Sequence, residues 1–142
     1  EDERTILRRF RTHNPLVDIQ PLIGAAELRT ISDRCRQVAC HPLVEDYLLD
    51  LVSASRGDSA VELGVSPRGS LALLRAGQAL AAIRGRDFVT PDDLQTLARP
   101  VLAHRLILSP ESRLRGQSAD AVIKRLLDQT PVPVEEQWSA SR

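Results

Sequence analysis

The sequence predicts an all-α fold, a small bundle of five to six helices with an extended C-terminal tail. Apolar residues recur at helical spacing in several stretches, whereas no stretch of useful length alternates as a half-buried strand would. Aromatic residues make up only 3% of the chain. Its 142 residues, 42% of them hydrophobic, suffice for one domain with a modest core. We therefore expect a single helical domain over residues 1–142.

The first part of the chain predicts three helices. The first covers Glu1–His13, where acidic residues precede arginines in the order that the helix dipole favours. Asn14-Pro15 ends it, and Leu16–Ile23 is expected to be extended or turning. The second and third helices are expected over Ala25–Ala39 and from Pro42 to about Arg56, each with apolar residues on one side.

The longest helix is predicted to begin after Ser66, a favoured N-cap, with Pro67 at the first helical position. A short extended segment, Val61–Leu63, is expected just before it. Gly85 ends the helix because glycine readily takes the left-handed conformation. The apolar face expected to point to the core consists of Leu71, Leu74, Ala79, Leu80, Ala82 and Ile83.

A further helix is predicted from the N-cap Thr90. Asp92 and Asp93 lie in its first turn, and helix capping explains them better than an acid/base pair does. We expect Pro100 to break this helix, which then resumes as Val101–Leu108.

The last helix is expected over Ser118–Gln129, and the prolines from Pro131 onward then force an extended tail. The chain is accordingly divided into a first helix (1–13), a bundle (14–110) and a C-terminal helix with its tail (111–142).

Arg68 is unusual because it stands in the first turn of the longest helix, where the dipole disfavours a cation. Free N–H groups at a helix start, with a guanidinium beside them, suit an anion and especially a phosphate. The alternative is a solvated arginine whose long stem reaches away from the helix end.

Charge and hydropathy exclude several classes of protein. Lysine plus arginine and aspartate plus glutamate are equal at 19 each, which argues against a whole-surface attraction to nucleic acid. Apolar runs are only a few residues long, too short for a transmembrane helix or a signal-peptide core. We expect a cytoplasmic protein with no membrane insertion and no nucleic-acid partner.

Metal binding is not expected. Cys35 and Cys40 lack the C-x-x-C spacing, so free structural thiols are the better interpretation. His13, His41 and His104 are spread along the chain, and each is interpreted as a helix-end or packing residue.

The chain also lacks a P-loop, the glycine-rich motif that ends in Gly-Lys-Ser/Thr. Its only lysine, Lys124, follows Ile123 instead of glycine. We therefore expect the chain alone to hold no ATP by this device and to have no ATPase activity.

Several runs resemble the C-terminal lid of the MoxR-type AAA+ ATPases. They are G-V-S-P-R-G-S-L-A-L-L-R-A-G-Q-A, then G-R-D-F-V-T-P-D-D-L, then P-V-L-A-H-R-L-I-L. The opening E-D-E-R-T-I-L-R-R-F and the closing R-L-R-G-Q-S-A-D-A-V-I-K-R-L-L-D-Q-T-P-V-P are also similar to that family. The resemblance covers nearly the whole chain.

The resemblance implies a role for Arg68. It implies that the chain follows a nucleotide-binding core that is absent from this sequence, and that Arg68 is the second sensor, which contacts the γ-phosphate of ATP bound in the core. Ser66 and Pro67 would form the helix start that positions this arginine. Alanine is commoner in the family at position 69, and Gly69 is expected to loosen the first turn.

For the full-length protein, the resemblance implies ATP and Mg²⁺ as cofactors and ATP hydrolysis coupled to chaperone-like remodelling of other proteins. It also implies a hexameric ring, in which the lid contacts its own core and neighbouring subunits, and partners with von Willebrand factor A domains.

Two other classes of function remain open. A free-standing adaptor that binds partner helices needs no catalytic residues, and stable binding to an isolated ATPase core would instead favour the lid. A helical nucleic-acid-binding module would use the excess of arginine over lysine, but the chain lacks an aromatic stacking platform. Salt-dependent DNA binding would favour that module.

Overall fold

The computed structural model describes residues 2–11 and 14–134, and within them the mainly helical class is confirmed. The α-helices of the described residues are α1 (Asp2–Phe10), α2 (Ala25–Cys35), α3 (Pro42–Gly57), α4 (Pro67–Ile83), α5 (Pro91–Leu102), α6 (Pro110–Leu114) and α7 (Ala119–Gln129). Strands β1 (Val61–Leu63) and β2 (Ile107–Leu108) form one antiparallel ribbon. The expected five to six helices become seven, because the short α6 was not foreseen.

By their internal contacts the residues group into two compact units, Glu1–Ile31 and Ser32–Arg142. In the first unit, α1 carries acids in its first turn and arginines in its last, and none of its described residues is buried. The segment expected to be extended or turning begins with a 3-10 helix, Pro15–Asp18, in which the Asn14 side chain accepts a hydrogen bond from the Leu16 N–H at 3.1 Å. A single domain over residues 1–142 stays a prediction.

The core of the second unit lies between α3, α4, α5 and α7. Its largest buried aliphatic and aromatic side chains are Val44, Tyr47, Leu51, Val52, Val65, Leu73, Val89, Leu94, Leu102, Val122 and Ile123. Helix α4 packs on both α3 and α5, and α5 packs on α7. The longest helix therefore has core contacts with the helices that precede and follow it.

The buried face of α4 differs from the predicted one. Leu71 and Ile83 are 55% and 82% exposed, and the other predicted members are only half-buried. The residues that are buried are Gly69, Leu73, Gly77, Gln78 and Ala81. Glycine at position 77 permits close packing, since a Cβ there would lie 3.1 Å from both Leu94 and Val89. Four positions at a spacing of four, which are Gly69, Leu73, Gly77 and Ala81, thus define the inner face.

Gln78 is buried although it is polar. Its side-chain N–H group donates to the carbonyl oxygens of Arg36 at 3.1 Å and Val38 at 2.8 Å. Burial of an amide is tolerated when it is hydrogen-bonded in this way.

The β1 segment was predicted correctly, but its partner was not. Ile107–Leu108, expected to be helical, is a strand in which Leu108 pairs with Val61. Pro100 does not break α5, which continues to Leu102 before a 3-10 turn, Ala103–Arg105. The strand forms because β1 offers it backbone hydrogen bonds from a distant part of the sequence.

Helix α2 ends at Cys35, earlier than the predicted Ala39. The Ala39 N–H donates to the Asp87 carbonyl at 2.8 Å, and the Ala39 carbonyl accepts from the Val89 N–H at 2.9 Å. These bonds hold Ala39 in an extended bridge. The predicted end of the first helix at His13, and the tail beyond residue 134, lie outside the described residues. Among the described helices, none has the length and apolar character needed to cross a membrane.

Candidate functional site

The first turn of α4 presents Arg68 to solvent. Ser66 is the N-cap, with extended backbone angles, and its carbonyl accepts the Gly69 N–H at 2.7 Å. The Ser66 side chain makes no capping hydrogen bond. Arg68 is exposed, and no carboxylate among residues 2–11 and 14–134 forms an ion pair with it. The helix start thus presents an exposed cation and has no side-chain cap.

The end of α3 holds this helix start in place. The Val65 N–H donates to the Ser55 hydroxyl at 3.0 Å, and the Val65 carbonyl accepts from the Arg56 Nε at 2.9 Å. A Cβ on Gly64 would lie only 2.7 Å from the Arg56 Cα. The residues that lead into α4 are therefore fixed on the last turn of α3.

Gly69 has a packing role that the sequence did not indicate. A Cβ at this position would lie 2.2 Å from Cγ1 of Val65, whose side chain is fully buried. The glycine therefore lets the first turn of α4 approach Val65. The sequence pattern predicts only its lower helix propensity, because the contact depends on the path of the loop before α4.

Arg105 is a second arginine beside this turn, and sequence patterns gave no indication of it. Its Cδ lies 3.5 Å from the position that a Cβ on Gly69 would take. Its Nε donates to the Val101 carbonyl at 2.9 Å, and the side chain is exposed. The fold brings it to α4 through β2 and the 3-10 turn before it.

The C-terminal end of α4 is built differently. Gly85 has a φ of +72°, its N–H donates to the Ala82 carbonyl, and the Arg86 N–H donates to the Ala81 carbonyl. This pair of hydrogen bonds is the Schellman motif. The prediction that Gly85 ends the helix is confirmed.

Beyond that end, Asp93 is a buried carboxylate with two arginine partners. Arg86 donates to both of its oxygens at 2.7 and 2.8 Å, and Arg84 donates to one at 2.8 Å. Thr90 and Asp93 also form a capping box at the start of α5. Burial alone would raise the pKa of Asp93, but hydrogen bonds from Arg86 and Thr90 outweigh it and hold this pKa below its ordinary value. Asp93 thus caps a helix, as predicted, and also anchors two arginines.

The two cysteines are half-buried, and the described histidines lie at the start of α3 and in the 3-10 turn. Cys35 and Cys40 are free, half-buried thiols, and burial, followed by the nearby Glu45 charge, raises the pKa of Cys40 to about 11. His41 is the N-cap of α3, where its Nδ1 accepts the Leu43 N–H at 3.2 Å. His104 is exposed in the 3-10 turn, and His13 lies outside the described residues.

An apolar groove lies next to this helix start. Its volume is about 280 Å³, and it is lined mainly by Leu48 and Leu49 of α3 and by Pro67, Leu71 and Leu74 of α4. Leu71, predicted to point to the core, instead lines this open groove. The groove and Arg68 are therefore carried by the same two turns of α4.

Comparison with known proteins assigns this fold to a class. A family model described as the AAA lid domain matches residues 53–126, which is more than half of the chain and includes the whole of α4 and α5. The chain belongs to the AAA lid domain family.

Individual relatives show which type of AAA lid domain this chain is. The chain is 34% identical to YeaC of Bacillus subtilis, an uncharacterised protein, and 30% identical to Chaperone MoxR1 of Mycobacterium tuberculosis. Each alignment covers 94% of this chain, which spans 42% of the length of YeaC and 37% of that of MoxR1. A crystal structure of a candidate ATPase from Cytophaga hutchinsonii superposes with a TM-score of 0.83 at 26% identity, covering 93% of this chain and 43% of that one. This lid is of the MoxR type.

Proposed function

We propose that this lid serves an ATP-hydrolysing MoxR-type AAA+ protein, in which Arg68 contacts the γ-phosphate of ATP bound in the nucleotide-binding core. One observation carries the proposal: Arg68 is exposed, without an ion-pair partner among the described residues, on a helix start that α3 holds in place. An unpaired guanidinium on a helix start that is held in place is suited to a phosphate supplied by another part of the protein.

The chemistry of the guanidinium suggests how the lid responds to hydrolysis. ATP and Mg²⁺ would be held by the core, and this chain would supply the arginine. A guanidinium grips phosphate oxygens through paired N–H groups, and the attraction strengthens when closure removes water. Loss of the γ-phosphate removes that grip, so the lid is released relative to the core.

The remodelling of other proteins is the wider part of the proposal. The relative named Chaperone MoxR1 supports a chaperone-like activity. Assembly into a hexameric ring, contact with the cores of neighbouring subunits and partners with von Willebrand factor A domains are proposed from the family resemblance. A cytoplasmic location and the absence of a nucleic-acid partner stay predictions.

The test compares Arg68→Ala and Arg68→Lys in the full-length protein. Loss of a charge-assisted contact to a phosphoryl group costs about 3 kcal/mol of transition-state stabilisation, or about a hundredfold in turnover. The affinity for ADP should change less than that for ATP, since ADP lacks the γ-phosphate. Lysine should rescue only part of the loss, because it lacks the paired geometry. Arg113→Ala, at an exposed arginine of α6, is the matched control and should leave turnover unchanged.

Unchanged turnover of Arg68→Ala, together with a lowered melting temperature, would contradict this role and return the arginine to a structural one. The chain without a core is expected to hydrolyse no ATP. Turnover by the purified chain that survives rigorous removal of contaminating ATPases would contradict that expectation.

An adaptor role is the second candidate, and the apolar groove between α3 and α4 favours it. An adaptor would bind a partner helix through Leu49 and Leu71, with no need for a nucleotide. Binding of the chain to its own isolated ATPase core, strengthened by ATP and weakened by Arg68→Ala, would favour the lid over the adaptor.

A further inference from the structure

We propose that Val65 and Gly69 form a size-matched pair that sets the position of Arg68. In this pair the glycine leaves the space that a methyl group of Val65 occupies, so that the first turn of α4 packs against the valine. The inference rests on the proposed function, because it assigns positioning residues to the same phosphate contact.

The Val65 side chain cannot easily move to make room for a larger residue at position 69. Its side chain is fully buried, and its N–H and carbonyl are both hydrogen-bonded to the end of α3, through Ser55 and Arg56. A β-branched side chain also has restricted rotamers. A methyl group on residue 69 would lie 2.2 Å from Cγ1 of Val65, far inside van der Waals contact. The helix turn, and not the valine, therefore has to move.

Arg68 directly precedes Gly69, so a displaced first turn carries the arginine with it. A phosphate contact depends on the position of the guanidinium, and a misplacement of about 1 Å costs up to a hundredfold in rate. Gly69→Ala should accordingly weaken the γ-phosphate contact even though alanine is the better helix former.

Gly77 provides a matched control in the same helix. It too is buried on the inner face, but a Cβ there would meet Leu94 and Val89 at 3.1 Å, where small side-chain shifts suffice. Gly77→Ala introduces the same methyl group two turns away from Arg68. It tests whether any added bulk on this face disturbs the nucleotide response.

The experiment uses the full-length protein with Gly69→Ala, Val65→Ala, the double variant and Gly77→Ala. Two quantities are measured for each: the ratio of ATP to ADP affinity and the turnover at saturating ATP. We expect Gly69→Ala to lower both on the order of tenfold or more. Val65→Ala removes the obstructing methyl groups, so the double variant should recover most of the loss, whereas Gly77→Ala should keep the parent ratio.

If Gly69→Ala unfolds the protein, the double variant carries the test. A folded double variant with the parent ratio of ATP to ADP affinity supports the proposed role of the pair. A double variant that is as defective as Gly69→Ala overturns it. An unchanged ratio in Gly69→Ala overturns it as well, and so does an equal loss in Gly77→Ala. Arg68→Ala is measured alongside. Unchanged turnover of Arg68→Ala would contradict the proposed function itself. Lowered turnover of Arg68→Ala together with parent-like turnover of Gly69→Ala would contradict only the positioning role.

Discussion

The two ends of α4 use arginine in opposite ways. At the C-terminal end, Arg84 and Arg86 donate hydrogen bonds to the buried Asp93. At the N-terminal end, Arg68 finds no ion-pair partner among the described residues. Arg84 and Arg86 are therefore structural cations, whereas Arg68 is free to make the phosphate contact that we propose.

The helix dipole sharpens this contrast. Cations are favourable near a helix C-terminus and unfavourable near an N-terminus, by about 0.3–1 kcal/mol. Arg84 and Arg86 thus gain from the dipole as well as from Asp93, whereas Arg68 gains from neither. The phosphate contact that we propose would explain why a cation is kept at this unfavourable position.

The largest expected effect lies between the two ends, at Leu73. This side chain is fully buried on the inner face of α4, so Leu73→Ala should lower the free energy of unfolding by about 2–5 kcal/mol. Both ends of the helix should lose stability together. Leu71→Ala, at a half-exposed position two residues earlier in α4, is the control and should lower the free energy of unfolding far less. Urea denaturation measures both, and equal losses would show that the inner face has been assigned wrongly.

Removal of Asp93 should have the next largest effect, and only the C-terminal end should depend on it. Asp93→Ala removes the capping box and the acceptor of three arginine hydrogen bonds, at a cost of about 2–4 kcal/mol. The arginines are partly exposed, so water can solvate them and limit the loss. Asp92→Ala, at the exposed neighbouring acid, is the control. Both melting temperatures are measured by thermal unfolding. Equal melting temperatures of Asp93→Ala and Asp92→Ala would contradict the special role of Asp93 at the C-terminal end of α4.

The pH dependence of stability should follow Asp93. Its pKa is lower in the folded chain than the value of about 3.9 for the unfolded chain. Its contribution is therefore fully present above the unfolded pKa and is lost as the pH falls through the folded pKa. The difference in melting temperature between the parent and Asp93→Ala should narrow below about pH 4. A difference that stays constant down to low pH would contradict this assignment.

The smallest expected effect on stability is that of Arg68→Ala. An exposed side chain without a described partner should change the free energy of unfolding by no more than about 0.5 kcal/mol. The measurement is the melting temperature, beside Arg86→Ala as the partnered counterpart. Equal destabilisation by the two substitutions would show that Arg68 is as structural as Arg86.

Features encoded within a few residues could be predicted from the sequence. Thr90 with Asp93, and Gly85 with its left-handed backbone, are local signals, and they mark the helix ends correctly. Arg68 also stood out locally, because its charge conflicts with the helix dipole. The mainly helical class follows from the same kind of signal.

Features that depend on distant partners could not be predicted. Ile107–Leu108 has no strand pattern of its own and is a strand only because Val61–Leu63 pairs with it. Gly69 and Gly77 appear in the sequence as weak helix formers, and their use in close packing depends on Val65 and Leu94. Asp93 was recognised as a cap, but its arginine partners follow from the geometry of the turn between α4 and α5.

The β1–β2 ribbon has a consequence for the order of folding. Val61 pairs with Leu108, so the whole of α4 and α5 lies in the loop that this pairing closes. Closing such a long loop costs chain entropy before the strand contact can stabilise the fold. The hydrogen bonds around Asp93 join residues only seven or nine apart. We therefore expect the C-terminal end of α4 to form early, while the end that carries Arg68, next to the ribbon, is completed late in folding.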